Sequence, residues 1–299
     1  MNTLHMLTVY LGSSGHAAPV FQNSAVQLGK MIAQHGKKLV YGGMDAGLMG
    51  LLAKSALAYD GHVTGIIPKK IKDSERILGG LSKTILVNEL SDRKKEMFLM
   101  ADAIIALPGG FGTLDESLEI LYWGYQKLHT KPLVLVNIAG YWDALIPYLY
   151  ALPDFDPAYL ILAQNIEDIF EKIALWPPPS IPNIVHKHYP HFEDEIVRNT
   201  EEPIILDKAT IENTYYGICA MGLKQLGKHK RPIGLLNTDR QFDGLIAWLH
   251  RAAQETFITQ NCLKLFTIDS DKTRLLTALE HQDFVEIDLH GTKWGPQDA

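Results

Sequence analysis

Pro108-Gly109-Gly110-Phe111-Gly112-Thr113-Leu114-Asp115-Glu116 joins two segments of different character. Before it, Ala103-Ile104-Ile105-Ala106-Leu107 is a short, uninterrupted apolar run, the pattern of a buried strand. After it, Ser117-Leu118-Glu119-Ile120-Leu121-Tyr122-Trp123 carries apolar residues at helical spacing. The glycines therefore fall on a strand-to-helix turn. Gly109, Gly110 and Gly112 leave the backbone free to adopt positive φ and to approach a ligand closely. Unpaired N–H groups at the start of the helix suit a phosphate, and Thr113 adds a hydroxyl donor. Asp115 and Glu116 stand in the first helical turn. Carboxylates there complement the helix dipole; next to a bound phosphate, they also point to chemistry.

Upstream, the same grammar repeats. Leu7–Leu11 reads as a strand running into Gly12-Ser13-Ser14-Gly15, then a helix from about Pro19 to His35. Lys38–Tyr41 is a second strand ending in Gly42-Gly43, and Gly47 opens a second helix. Val63–Ile67, Ile85–Val87 and Pro132–Val136 are further strands, with a helix over Asp92–Ala101. Strands alternating with helices imply an α/β fold: a Rossmann-like, doubly wound parallel sheet covered on both faces. In such a sheet, ligands bind beyond the carboxyl ends of the strands. The turns at Gly12–Gly15, Gly42–Gly43 and Gly109–Gly112 are expected to line one pocket there. Neither a Walker A sequence nor a strict G-x-G-x-x-G is present, which disfavours an NTPase or a dinucleotide dehydrogenase.

The 299 residues suffice for one large domain or two ordinary ones. A net charge of −6 without a dense Lys/Arg run argues against a nucleic-acid surface. No apolar stretch reaches membrane-spanning length, and no leader pattern opens the chain. Two cysteines, Cys219 and Cys262, fit a reducing compartment, so a cytoplasmic location is expected. His186, His188 and His191 cluster without an acidic or cysteine partner at ligand spacing and are read as a surface loop, so no metal is expected.

Trp176-Pro177-Pro178-Pro179-Ser180-Ile181-Pro182 cannot continue a helix. It divides the expected organisation into a nucleotide-binding unit (1–176), a Pro-rich connector (177–200) and a C-terminal α/β extension (201–299). The extension echoes the first unit. Lys131–Asn137, followed by Tyr141-Trp142-Asp143, matches Arg231–Asn237, followed by Gln241-Phe242-Asp243, one hundred positions on. Chance resemblance between two ordinary αβα units is one reading; a degenerate partial duplication is the reading favoured here. Thr210-Ile211-Glu212-Asn213 then echoes Thr113–Glu116 at a different offset, setting Asn213 where Glu116 stands and leaving the second copy catalytically silent.

Arg93, with Lys94 beside it, begins the helix after the fourth strand. An arginine there offers a planar fork to phosphate or carboxylate, although the many charges around it equally suit a solvated helix face.

Gly12-Ser13-Ser14, Tyr41-Gly42-Gly43, Gly47-Leu48-Met49-Gly50, Gly65-Ile66-Ile67-Pro68, Arg93-Lys94-x-x-Met97 and Pro108-Gly109-Gly110-x-Gly112-Thr113-x-x-Glu116, in this order, resemble the motif series of the LONELY GUY (LOG)-type phosphoribohydrolases. These cytokinin-activating hydrolases are often labelled lysine decarboxylases. The resemblance covers roughly residues 7–150. It implies a Rossmann-like homodimer that cleaves the N-glycosidic bond of a purine nucleoside 5′-monophosphate, releasing free base and ribose 5-phosphate. It puts the catalytic pair on Arg93 and Glu116 and the phosphate turn on Gly110–Thr113. Gly12, Ser13, Ser14, Gly42, Gly43, Lys94 and Gly109 complete the expected substrate-binding set. No metal or organic cofactor is implied, and nothing reads as a pyridoxal-phosphate lysine with its supporting acid. Leu11, Met44 and Ser91 depart from the family pattern and leave the base open. A broad-specificity monophosphate nucleosidase and a non-catalytic nucleotide-binding module are the alternative readings. The added unit could also cover the family's dimer surface and leave a monomer.

Overall fold

Seven parallel strands form the main sheet of the structure, a computed structural model that describes residues 4–69, 77–181, 189–198 and 202–289. The first half runs β1 (Met6–Tyr10), α1 (Pro19–Gln34), β2 (Lys38–Tyr41), α2 (Gly47–Ala58), β3 (His62–Pro68), β4 (Lys83–Val87) and α3 (Leu90–Met100). It continues through β5 (Ala103–Ala106), α4 (Phe111–Tyr125), β6 (Leu133–Val136), α5 (Leu145–Ala151), β7 (Leu160–Ala163) and α6 (Asp168–Leu175). The strand order is β4-β3-β2-β1-β5-β6-β7. The central strands are apolar on both faces because helices cover both, as a parallel sheet requires. β7 was not expected from the sequence; the other strands lie within two residues of their expected limits.

The order of strands reverses direction at β1 and β5, which pair with Val9 opposite Ile105 and Tyr10 opposite Ala106. Chain leaving β1 turns one way and chain leaving β5 the other. The crevice that opens between them is where an open α/β sheet receives its ligand.

After residue 189 the chain builds the same sequence of elements again: α7 (Glu193–Arg198), β8 (Ile204–Leu206), α8 (Ile211–Gln225), β9 (Ile233–Leu236), α9 (Asp243–Gln254), β10 (Thr267–Asp269) and α10 (Lys272–Glu280). These strands form a second parallel sheet ordered β10-β9-β8, matching β7-β6-β5. The helices α4 and α8, and the strands β6 and β9, begin and end one hundred positions apart.

Local chemistry repeats with the same offset. His129 Nε2 donates to Ile120 O at 2.9 Å while its Nδ1 accepts from Lys131 N; His229 does the same with Ala220 O and Arg231 N. Asn137 Oδ1 accepts from Trp142 N and its amide donates to Asp143; Asn237 serves Phe242 and Asp243 identically. Ala139 and Asp239 share a left-handed φ of 52° and 53°. Chance resemblance does not reproduce tautomer, cap and backbone handedness together. The C-terminal unit is a partial copy; among the described residues it has no counterparts of β1–β4.

Two expectations change. The helix α8 starts at the offset of α4, so Thr210 corresponds to Gly110 and Tyr216, not Asn213, corresponds to Glu116. The earlier match followed a Thr-x-x-polar pattern and missed that Thr210 is a helix cap, its Oγ1 accepting from Asn213 N. Part of the expected connector is packed rather than extended: α7 lies against α8, while Trp123 Nε1 donates to Pro190 O at 2.7 Å and Tyr189 packs against Phe98 and Trp123 of the first unit. His186 and His188 lie outside the described residues.

The two units meet through α4 against α8 and α5 against α9. Both α4 and α8 are buried nearly all round, including polar and charged residues such as Glu116, Glu119, Thr214 and Lys224. The contact is reciprocal. Tyr215 Oη donates to Glu119 Oε1 at 2.5 Å, and the Cys219 thiol lies within 4.8 Å of the Asp115 carboxylate. Since Tyr215 corresponds to Asp115 and Cys219 to Glu119, the two contacts are related by a pseudo-twofold axis, the hallmark of an isologous interface.

Candidate active site

Backbone packing brings the glycine turns together. Gly12 N donates to Pro108 O at 3.1 Å, tying the turn after β1 to the turn after β5. A Cβ on Gly109 would lie 2.1 Å from Thr113 Oγ1 and 2.8 Å from Gly12 N. A Cβ on Gly47 would lie 2.4 Å from Ser14 O, so the turn before α2 rests on Ser13 and Ser14. Gly43 (φ 82°) and Gly47 (φ 48°) need the left-handed freedom of glycine. Gly109, Gly110 and Gly112 do not: none has positive φ, and close approach is what excludes a side chain at the first two. Gly112 is exposed and faces open space.

Among the described residues, no side chain caps the N-terminus of α4, whose N-cap is Gly110. The first N–H groups of a helix have no intrahelical partner, so this end presents donors and the positive end of the dipole to the crevice. Thr113 is buried against Gly109, and its carbonyl accepts from Ser117 Oγ. Tyr141 Oη donates to Gly109 O at 2.6 Å and holds the turn from below, a role the sequence reading missed although the aromatic-Asp repeat had marked that segment.

Arg93 and Lys94 are neighbours on α3, about 100° apart around its axis, and they part company. Arg93 faces the crevice. Its Nη1 lies 3.3 Å from the position of a Cβ on Gly42, its Nη2 3.4 Å from Glu116 Oε1, and its Nε is buried without a hydrogen-bond partner. Glu116 is 8% exposed; burial pushes its carboxyl pKa up, and Arg93 and then Lys94 only partly pull it back. A carboxyl group and a guanidinium thus stand side by side at the edge of the uncapped helix end.

Lys94 points the other way, against the expectation that it binds substrate. Its Nζ is buried among Asp115 (2.9 Å), Glu119 (3.2 Å) and Glu193. Burial works to lower its pKa, but Asp115 and Glu119 hold it well above the ordinary lysine value. Asp115 is likewise absorbed in this cluster. One ammonium cannot balance three carboxylates, so burial pushes Glu119 up to about 8, while Lys94 and His191 draw Glu193 down to about 2. Asp115, Glu193 and Cys219 lie close enough to share an ion, but the Lys94 ammonium already sits against both carboxylates. His191 Nδ1 binds Glu193 at 2.9 Å.

The corresponding helix end of the second unit is closed. Thr210 caps α8, and Asp154 of the first unit accepts from Ile211 N at 2.7 Å.

A family model described as "Possible lysine decarboxylase" matches residues 49–173 and 217–279, a stretch in each unit. A probable cytokinin riboside 5′-monophosphate phosphoribohydrolase of Oryza sativa subsp. japonica, LOGL5, is 41% identical over 180 residues, covering 57% of this chain and 72% of that protein. The Arabidopsis thaliana cytokinin riboside 5′-monophosphate phosphoribohydrolase LOG7 is 39% identical over 143 residues, covering 48% of this chain and 66% of its own length. Among solved structures, the molybdenum cofactor binding protein of Rippkaea orientalis aligns at 24% identity with a TM-score of 0.46, over 58% of this chain and 98% of that one. Among the described residues, no helix is long and apolar enough to cross a membrane.

Proposed function

The chain belongs to the LOG family of phosphoribohydrolases, matched under the description "Possible lysine decarboxylase", and from that premise we propose that it hydrolyses the N-glycosidic bond of a purine nucleoside 5′-monophosphate, N6-substituted adenines included, to free base and ribose 5-phosphate. The observation that carries this reading is the Arg93–Glu116 pair, 3.4 Å apart, beside the uncapped N-terminus of α4.

Breaking this bond builds positive charge on the ribose, as in glycoside cleavage. Glu116, as carboxylate, stabilises that charge and orients or deprotonates the attacking water. The phosphate, held by the N–H groups of Gly110–Thr113, fixes the ribose against it. Arg93 works against burial to favour the ionised form of Glu116 and turns its remaining donors toward the substrate. Gly12, Ser13, Ser14, Gly42, Gly43 and Gly109 form the walls. Cys219 and Cys262, both buried and outside any disulfide, suit the reducing cytoplasm we assign to the protein.

The test is free-base release from a panel of nucleoside monophosphates, AMP first, beside Glu116→Gln. Release that the substitution abolishes supports the reading. Tight nucleotide binding without release from any panel member overturns it in favour of a binding module.

A further inference from the structure

One wall of the crevice comes from the second unit. The loop after α9 crosses to the first unit, where Thr256 (φ 61°) donates its Oγ1 to His16 O at 3.0 Å, across 240 positions of sequence. Phe257 follows, fully buried, its ring edge-on to Phe21 (5.3 Å) and Tyr141 (5.0 Å). This ring lies directly on the turn after β1: a Cβ on Gly12 would stand 2.6 Å from it. The same loop meets the turn after β5, where a Cβ on Gly110 would lie 2.5 Å from Phe257 O and 3.0 Å from Ile258 Cγ2. The loop is itself fixed. The amides of Phe257 and Ile258 both donate to Ala252 O on α9, and α9 docks on α5 with Trp142 and Trp248 stacked at 5.9 Å.

The two phosphate-side turns are therefore clamped between Tyr141 of their own unit and Phe257 of the other. Since the units are related as an isologous pair, the second occupies the place a second subunit would take. We propose that the second unit completes the substrate site within one chain, with Thr256, Phe257 and Ile258 as positioning residues that hold the Gly12–Ala18 and Gly109–Gly112 turns in register, so that the protein works as a monomer with one site. The kinetic part of this proposal rests on the phosphoribohydrolase reading; the tether and the monomer do not.

The full-length chain serves for the experiment. Thr256→Val removes the cross-unit hydrogen bond at nearly constant volume, and Phe257→Leu thins the wedge. Loss of one such bond predicts KM for AMP raised about five- to tenfold with kcat within about twofold. It also predicts faster amide exchange confined to residues 12–18 and 109–112 and restoration of both by Thr256→Ser. Wild-type protein is expected to sediment as a 33.4 kDa monomer while active. Unchanged KM and exchange in both variants overturn the proposal and leave the catalytic reading standing, as does activity confined to a dimer. Protection lost uniformly across the chain also overturns it, because that marks a purely structural role. If Phe257→Leu does not fold, Thr256→Val decides. If no monophosphate is cleaved, the catalytic reading falls, and exchange at 12–18 with sedimentation still tests the tether and the monomer.

Discussion

α4 and α8 are the same helix twice, and their N-termini have opposite fates. At α8, Thr210 caps Asn213 N and Asp154 caps Ile211 N, so the dipole already faces a carboxylate from within the molecule. At α4 the cap is glycine, no side chain answers the first N–H groups, and Arg93 and Glu116 stand at the rim. A side-chain cap is worth about 1 kcal/mol, so leaving α4 uncapped is a sacrifice of stability that makes sense if a phosphate answers those groups instead. The silent copy shows what the helix does when it has only a fold to maintain.

The sharpest break in that comparison is chemical. Glu116→Gln should lower kcat for base release about 10²–10⁴-fold, whereas Tyr216→Phe, at the corresponding position of α8, should leave it within about twofold. Chromatography of released adenine reads both. Next comes Gly110→Ala, whose new methyl group meets Phe257 O at 2.5 Å. It should cost about 1–3 kcal/mol in urea unfolding and weaken AMP binding as well.

The charged face between the helices gives a third prediction. The Glu119 carboxyl rises from 4.5 to about 8 on folding, chiefly through burial. Across that window the native state holds a proton that the unfolded chain has released, so this group's contribution to stability falls as pH rises from 4.5 toward 8. Glu119→Gln, which keeps an acceptor for Tyr215, should flatten the decline in urea midpoints measured between pH 5 and 9. The smallest effect belongs to the silent end. Thr210→Ala should cost about 1 kcal/mol of stability, with kcat and KM unmoved. A change in turnover there would mean that the second unit's helix end takes part in the reaction.

Much of this was legible in the sequence. Apolar runs broken by glycine turns located the sheet and the crevice, because a parallel strand must be apolar on both faces and its loop must leave room for a ligand. The Arg93–Glu116 pair followed from the family motif. Lys94 did not: adjacent helical residues point about 100° apart, and sequence alone does not say which of two neighbouring cations faces the ligand. Phe257 and Asp154 were illegible for a different reason. Their roles arise only when the second copy docks on the first, and no local pattern encodes a contact between residues so far apart. The role of the motif glycines was also misjudged. At Gly109 and Gly110, crowding by neighbouring atoms, rather than backbone handedness, excludes a side chain.

The reciprocal contacts about the pseudo-twofold axis have a consequence for how the interface carries charge. Were the two halves identical, Asp115 and Glu119 would each recur across the axis, and four carboxylates would face one another in a dry seam. Identical subunits cannot escape this, because every substitution appears on both sides at once. Two separately encoded copies can diverge. One keeps its acids beside Lys94, the other presents the phenol of Tyr215 and the thiol of Cys219, and the repulsion that symmetry would impose is replaced by donors facing acceptors.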